Sequence, residues 1–251
     1  MAIYTSKTRI DLEDVGYSNK ITNKAILKIL ENAGRNYFLW SDKCSGTWWT
    51  ETIHFGLNDM GNVGFSWILL GWKVKILKRP IYNEELTINT WGRDSNRIFT
   101  YRDYEIYDES GELCAIATSK WAIVDINTGK LRELTPEIIE KYQCETKKVF
   151  EEDYTLKLKE PVTIIRKQEY KAQRRDINKH IHNLYYLDYA YEALPEEVYE
   201  APECNNIEIM YKKQIRLNDE FKCLYTKEEN QNIVTMKSED ENTLHAIIKL
   251  Y

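Results

Sequence analysis

Several things are scarce in this 251-residue chain, and each scarcity removes a class of function. An excess of basic charge is missing: 35 Lys and Arg stand against 40 Asp and Glu, for a net charge of −5. A general nucleic-acid binder carries a basic field, so that class is set aside, and an acidic partner would need a local basic patch. Cysteines number only five (Cys44, Cys114, Cys144, Cys204 and Cys223), spread widely with no CxxC or Cys/His ligand spacing. That argues against a disulfide framework or a structural zinc and points to a reducing cytoplasm. The N-terminal MAIYTSKTRIDLED lacks both the apolar core of a signal peptide and the Arg/Ser-rich character of a transit peptide. The longest apolar run, WILLGW at Trp67–Trp72, falls far short of the roughly 20 residues a membrane helix needs.

What is present is an ordinary globular composition, 43% hydrophobic and 30% charged, long enough to bury a core as one large domain or two small ones. The 18 tyrosines and 7 tryptophans suit strands and apolar pockets with one polar edge. Two helices announce themselves. One starts after Thr22 or Asn23, either of which can cap it, and carries Ile26, Leu30, Ala33 and Tyr37 at helical spacing. The other starts after Asn183, with Leu184, Leu187, Tyr191, Leu194 and Val198 on one stripe. Strand patterns follow each helix: WKVKI, ELTINT, RIFTYRDYEIYD and LCAIATSKWAIVDI, then NNIEIMYKKQI, EFKCLYTKE, NIVTMKSED and TLHAIIKLY. DESGEL, Asn127-Thr128-Gly129, Leu217-Asn218-Asp219 and Glu239–Asn242 read as turns. Between the halves, TPEIIEKYQC predicts a short helix capped by Thr135 with Pro136 at its first position, followed by a charged connection.

The two halves repeat one another. KILKRPIYNEEL (Lys75–Leu86) matches MYKKQIRLNDEF (Met210–Phe221) at an offset of 135, and Asn23 matches Asn183 at an offset of 160. The longer helix-to-strand distance in the first half falls in the Gly/Trp-rich stretch CSGTWWTETIHFGLNDMGNVGFSW. A helix followed by antiparallel strands that wrap it, twice over, predicts an α+β fold: a tandem double hotdog with a shared antiparallel sheet. The boundaries read as residues 1–134 for the N-terminal hotdog, 135–160 for a linker and 161–251 for the C-terminal hotdog.

RRDINKHIHN packs Asp176, Asn178, His180, His182 and Asn183 against the entrance of the second helix. If residues 176–180 run extended, positions 176, 178 and 180 point to one side. A helix start also presents backbone N–H groups without intrahelical partners, at the positive end of the dipole, where an oxyanion is stabilised. Asp and Asn before a helix are also common as plain caps. At the matching place in the first half, GYSNKITN sets Gly16 against Asp176, Ser18 against Asn178 and Lys20 against His180.

These residues, with GWKVKILKRPIYNEELTINTW, ATSKWAIVDINTGKLREL and TPEI in the first half, give the chain a resemblance over nearly its whole length to the acyl-acyl-carrier-protein thioesterases, bacterial relatives of the plant fatty-acyl thioesterases. The pattern Asp-x-Asn-x-His is followed in that family by an apolar residue and usually two Asn; His182 stands at the first of those two. The resemblance implies hydrolysis of fatty acyl thioesters in fatty acid biosynthesis, with Asp176, Asn178 and His180 as catalytic positions and no metal or organic cofactor. His182, Asn183 and Gln214 are supporting positions. Gln214 stands where the family usually carries a further acid, and Ile215 where plant members often carry a cysteine.

In such a site His180 acts as a base near neutral pH, Asp176 orients water or attacks directly, and Asn178 holds the carbonyl or the water. The partner implied is acyl carrier protein with its phosphopantetheine-linked acyl chain. Arg174, Arg175, Lys212 and Lys213, with Arg166, Lys167, Lys171 and Arg216 nearby, supply the local basic patch. Trp48, Trp49, Phe65 and Trp67 are candidates to line the acyl pocket in the first half, and His54 and His245 read as structural. Nucleic acid and stable membrane insertion are not expected, and a homodimer is left open. The alternatives are an acyl-CoA thioesterase on the same fold and a non-catalytic acyl-binding or regulatory protein, the latter suggested by Gln214.

Overall fold

The computed structural model describes residues 3–45, 65–93, 97–125, 127–136, 144–152, 158–161, 163–173, 180–199 and 204–251. The chain divides into two compact units, Met1–Leu70 with Ile76–Tyr154, and Gly71–Lys75 with Thr155–Tyr251. Strand β2 (Phe65–Ile76) contributes to both.

In the first unit β1 (Tyr4–Arg9) leads through a one-turn helix at Leu12–Asp14 into α1 (Asn23–Ser45). Then come β3 (Glu85–Arg93), β4 (Phe99–Tyr107), β5 (Leu113–Asp125) and the short β6 (Leu131–Arg132). The antiparallel order is β1-β3-β4-β5, with β6 beside β5. Helix α1 starts where the sequence predicts: Thr22 Oγ1 accepts the Ala25 N–H at 3.1 Å. Its face of Ala25, Ile26, Leu27, Ile29, Leu30 and Ala33 is buried, and the helix packs on β1 and β3. The strands alternate accordingly, with Leu86 and Ile88 of β3 buried between half-buried neighbours. The opposite face of the sheet buries Trp91, Arg93 and Asp103, and the returning segment 144–152 covers it. There the Trp91 indole donates to the Lys147 carbonyl at 3.0 Å, and Val149 N–H donates to Asp103 at 3.1 Å.

The second unit repeats the plan. It holds β7 (Arg166–Lys171), α2 (Asn183–Ala193), α3 (Glu196–Tyr199), β8 (Asn206–Tyr211), β9 (Glu220–Glu228), β10 (Gln231–Ser238) and β11 (Leu244–Leu250). The Gly71–Lys75 part of β2 pairs with β8, and the order continues β8-β11-β10-β9-β7, antiparallel throughout. Two sequence expectations are corrected here. The second helix stops at Ala193 instead of running on to Val198, because Pro195 holds Leu194 in extended geometry (φ −68°, ψ 148°). The buried stripe is Tyr186, Leu187, Tyr189, Ala190 and Ala193; of the expected stripe Leu187 and Leu194 are buried, while Leu184 and Tyr191 are only half-buried. The short helix expected over TPEIIEKYQC falls almost wholly outside the described residues.

The duplication read from the sequence is reproduced bond for bond. Ile10 exchanges backbone hydrogen bonds with Asn83 and Glu84, as Ala172 does with Asn218 and Asp219. Ile21 N–H donates to the Pro80 carbonyl at 2.9 Å, and Ile181 N–H to the Ile215 carbonyl at 2.9 Å. Lys20 bridges Ile81 as His180 bridges Arg216. Asn83 (φ 70°) and Asn218 (φ 69°) occupy the same left-handed turn position, one that asparagine tolerates better than most residues. The helix entrances therefore sit 160 residues apart and the facing turns 135 apart, as Ile21 and Ile181, and Asn83 and Asn218, show.

Candidate functional site

At the second helix entrance two short straps run side by side. One is His180–Asn183 and the other Lys212–Arg216. The Ile181–Ile215 hydrogen bond and the His180–Arg216 bridge tie them together. His180 is half-buried, with Nδ1 3.4 Å from the Ile181 carbonyl. His182 is the helix cap: its Nδ1 accepts the Leu184 N–H at 3.3 Å, which requires that nitrogen unprotonated. Its carbonyl takes the Tyr185 N–H at 2.9 Å. Helix α2 therefore begins at Asn183, one residue earlier than expected. The anion-binding capacity expected of this helix start narrows to the Asn183 N–H, for which no partner appears among the described residues.

Two tyrosines back the straps. Tyr211, the last residue of β8, donates its hydroxyl to the Asn183 carbonyl at 3.2 Å. Tyr186 is buried, packs edge-on against Tyr211 with centroids 5.3 Å apart, and its hydroxyl accepts the Ile215 N–H at 3.0 Å.

Strand β8 ends at Tyr211, so Gln214 lies just past the strand on which the sequence reading placed it. The physical reason is a bulge: the His245 carbonyl takes both the Lys212 and the Lys213 N–H, at 2.8 and 3.3 Å. Gln214 itself is exposed. Behind it the buried His245 ring faces the Lys213 carbonyl through Nδ1 at 2.9 Å. Since a carbonyl only accepts, that nitrogen carries a proton. Burial holds the His245 imidazole below the ordinary histidine range, against the Lys213 carbonyl and Asp219, which favour its charged form.

The first unit shows the same framework with other side chains. Thr22 caps the helix where His182 does, and Lys20 stands at the position of His180. The Cys114 carbonyl takes the Leu77 and Lys78 N–H groups, so Cys114 is the counterpart of His245. Arg79, counterpart of Gln214, folds back on the entrance and donates to the Ile21 carbonyl at 2.8 Å and to Asn23 Oδ1 at 2.7 Å.

Of the residues singled out from sequence, the structure brings His180, His182, Asn183 and Gln214 to one helix entrance. Arg174, Arg175, Asp176, Asn178, Trp48, Trp49, His54 and the Phe65 side chain lie outside the described residues. Trp67 is half-buried on β2. Lys212, Lys213 and Arg216 are exposed and, among the described residues, make no ion pair. The rest of the expected basic cluster is committed elsewhere. Arg166 donates to the Leu194 carbonyl at 2.8 Å, Lys167 pairs with Glu241, and Lys171 lies 3.7 Å from Glu220. Cys114 and Cys223 are buried. Burial pushes the Cys114 thiol up to about 11 and the Cys223 thiol higher still, which makes both poor nucleophiles. The signal the sequence did hold for Tyr186 is the duplication itself, which sets it against Ile26 at the offset of 160; the match of His245 with Cys114 comes from the hydrogen bonds alone.

Comparison with known proteins agrees over the whole chain. The family model described as the acyl-ACP thioesterase N-terminal domain matches residues 2–142, and the acyl-ACP thioesterase C-terminal domain matches residues 159–249. Oleoyl-acyl carrier protein thioesterase 2, chloroplastic, of Arabidopsis thaliana is 27% identical over 206 residues, covering 71% of this chain and 56% of the relative. The Coriandrum sativum oleoyl-acyl carrier protein thioesterase is 24% identical, covering 93% of this chain and 65% of the relative. The chain thus spans a little over half to just under two thirds of the length of these curated relatives. Among solved structures, an acyl-ACP thioesterase from Bacteroides thetaiotaomicron superposes with a TM-score of 0.80 at 21% identity, covering 99% of this chain and 97% of that one. The 12:0-ACP thioesterase from Umbellularia californica gives 0.82 at 17% identity, covering 100% and 96%. These likenesses show the fold. Among the described residues no helix is long and apolar enough to cross a membrane, and no three His, Cys, Asp or Glu are grouped to hold a metal ion.

Proposed function

The chain belongs to the acyl-ACP thioesterase family, and from that premise we propose that it hydrolyses fatty acyl-acyl-carrier protein to free fatty acid and carrier protein in fatty acid biosynthesis, in the cytoplasm. The observation that carries this reading is the asymmetry of the two helix entrances. A histidine, a helix start with a terminal N–H and an exposed amide-bearing strap meet in the second unit, while lysine and an entrance closed by Arg79 occupy the first.

In this mechanism water adds to the thioester carbonyl. His180 takes the proton that the water loses, and Asp176 and Asn178 orient the water and the carbonyl. The carbonyl oxygen gains negative charge, and in this reading the Asn183 N–H at the positive end of α2 stabilises it. The carbon–sulfur bond then breaks, and the departing thiolate receives the proton back from His180. A cysteine nucleophile is not required, in keeping with the raised thiols of Cys114 and Cys223. Lys212 and Lys213, exposed beside the site, together with Arg174 and Arg175, are assigned to the acidic carrier protein. The acyl chain is assigned to the N-terminal half, with Trp48, Trp49, Phe65 and Trp67 as its lining.

The test is thiol release from a chain-length panel of acyl-carrier proteins by the purified protein and by Asp176→Ala. At least one chain length should turn over, and Asp176→Ala should lose about 100-fold or more in kcat. Absence of turnover on every chain length, with tight acyl-thioester binding retained, would instead establish a binding protein. Higher kcat/KM on acyl-CoA than on the carrier-protein thioester would establish an acyl-CoA thioesterase.

A further inference from the structure

Gln214 stands on an exposed strap, yet the backbone on both sides of it is held by a buried side chain. The carbonyl of the peptide before it, that of Lys213, accepts from His245 Nδ1 at 2.9 Å. The N–H of the peptide after it, that of Ile215, donates to the Tyr186 hydroxyl at 3.0 Å. Fixing one peptide plane on each side of a residue fixes its φ and ψ, and so the direction in which its side chain leaves the chain. Both rings are buried, at 5% exposure for His245 and 3% for Tyr186.

The first unit shows that this clasp is no requirement of the fold. Its matching strap keeps the bulge and the turn, but Cys114 and Ile26 stand where His245 and Tyr186 do. The Cys114 thiol turns to the Glu112 carbonyl at 3.5 Å, away from the strap. Pro80, counterpart of Ile215, has no N–H to offer. The first unit also shows where a side chain from this position reaches: Arg79 arrives at the carbonyl of the residue before the helix cap and at the side chain of the helix's first residue. The Gln214 side chain, by contrast, makes no hydrogen bond among the described residues.

We propose that His245 and Tyr186 are positioning residues that lock the backbone of Gln214, so that its side-chain amide is presented to the thioester or its attacking water at the entrance of α2. This rests on the hydrolase reading above and adds a means of doing the work there with an amide. A glutamine offers both a donor and an acceptor, so it can hold a water against His180 without a carboxylate. Its value lies in a fixed direction, which an unclasped exposed strap would not give.

A double-mutant cycle on the full chain tests this, with kcat and KM measured on the best carrier-protein substrate. Tyr186→Phe removes only a hydroxyl, and His245→Cys installs the residue of the first unit. Each is expected to lower kcat about 10-fold with KM within about twofold, because a misdirected catalytic group costs rate more than binding. Gln214→Ala is expected to cost at least as much, and adding either clasp variant to it should cost nothing further. Losses that add fully in the double variants, or kcat unchanged while the melting temperature falls, would assign the two rings to plain stability. Hydrogen exchange at the Ile215 amide is read independently of turnover. It should accelerate at least about tenfold in Tyr186→Phe while the Asn218 amide keeps its rate. An unchanged Ile215 rate would end the proposal even if hydrolysis is found. Acceleration in an enzyme inert on all substrates would sink the hydrolase reading and leave the clasp standing.

Discussion

The two helix entrances of this chain share a skeleton and differ in almost every side chain on it. Ile21 and Ile181 donate to Pro80 and Ile215 at the same distance, and the Asn83 and Asn218 turns agree within a degree in φ. On that common frame the first unit places Lys20, Thr22, Arg79 and Cys114, and the second places His180, His182, Gln214 and His245. Backbone hydrogen bonds are what the fold demands, because every buried N–H and carbonyl must be paired. Side chains that differ between copies on an unchanged frame are therefore where we propose that the chemistry lies. Arg79 makes the contrast sharp: it spans the first entrance with two hydrogen bonds, whereas the Gln214 side chain makes none among the described residues.

Exchanging these two residues breaks the comparison most directly. Gln214→Arg should carry the plug into the second unit and cut thioester hydrolysis about 10- to 100-fold, with little change in melting temperature. Arg79→Gln should leave kcat/KM within about twofold. Its loss of two charge-assisted hydrogen bonds should cost about 1–3 kcal/mol, several degrees in Tm. If Gln214→Arg were fully active, the second entrance would not be the site. The caps give a smaller effect. His182→Ala should destabilise the protein by about 1 kcal/mol in a denaturant titration, while His182→Thr, the residue of the first unit, should restore most of it. Equal losses from the two substitutions would show that His182 does more than cap.

A further effect separates the units by pH. Burial pushes the carboxyl of Glu31 on α1 up to about 7, against the pull of Arg35, and its matched position in the second unit is Tyr191. A carboxyl whose folded pKa is raised binds its proton more tightly in the native state. Its contribution is therefore full below the ordinary carboxylate range and is lost as pH rises through about 7. Tm should fall modestly between pH 5 and pH 8, and Glu31→Gln should flatten that fall. An identical slope in the variant would place the pH dependence elsewhere.

Much of this was legible in the sequence. NEEL and NDEF matched as the paired turns, Thr22 or Asn23 marked the first helix start, and His180 and His182 lie at the second helix entrance as read. The end of α2 could have been read from Pro195, yet the apolar spacing through Val198 obscured it. What local pattern could not reveal depends on a partner strand. Alternation in MYKKQI gives no hint that one carbonyl of β11 will take two successive N–H groups and end β8 at Tyr211. Nor does a lone histidine in TLHAIIKLY announce that it faces the carbonyl beside Gln214. Both are tertiary facts, and the match of His245 with Cys114, 131 residues apart, appears only in the shared hydrogen bonds of the two units.

The central claim is that hydrolysis belongs to the second entrance alone. The most direct measurement is kcat for the preferred acyl-carrier protein in His180→Ala and in Lys20→Ala, the matched positions of the two units. His180→Ala should lose about 100- to 10,000-fold, the usual worth of a general base, and Lys20→Ala should stay within about twofold of the parent. Comparable losses in the two variants, or an active His180→Ala enzyme, would contradict the account.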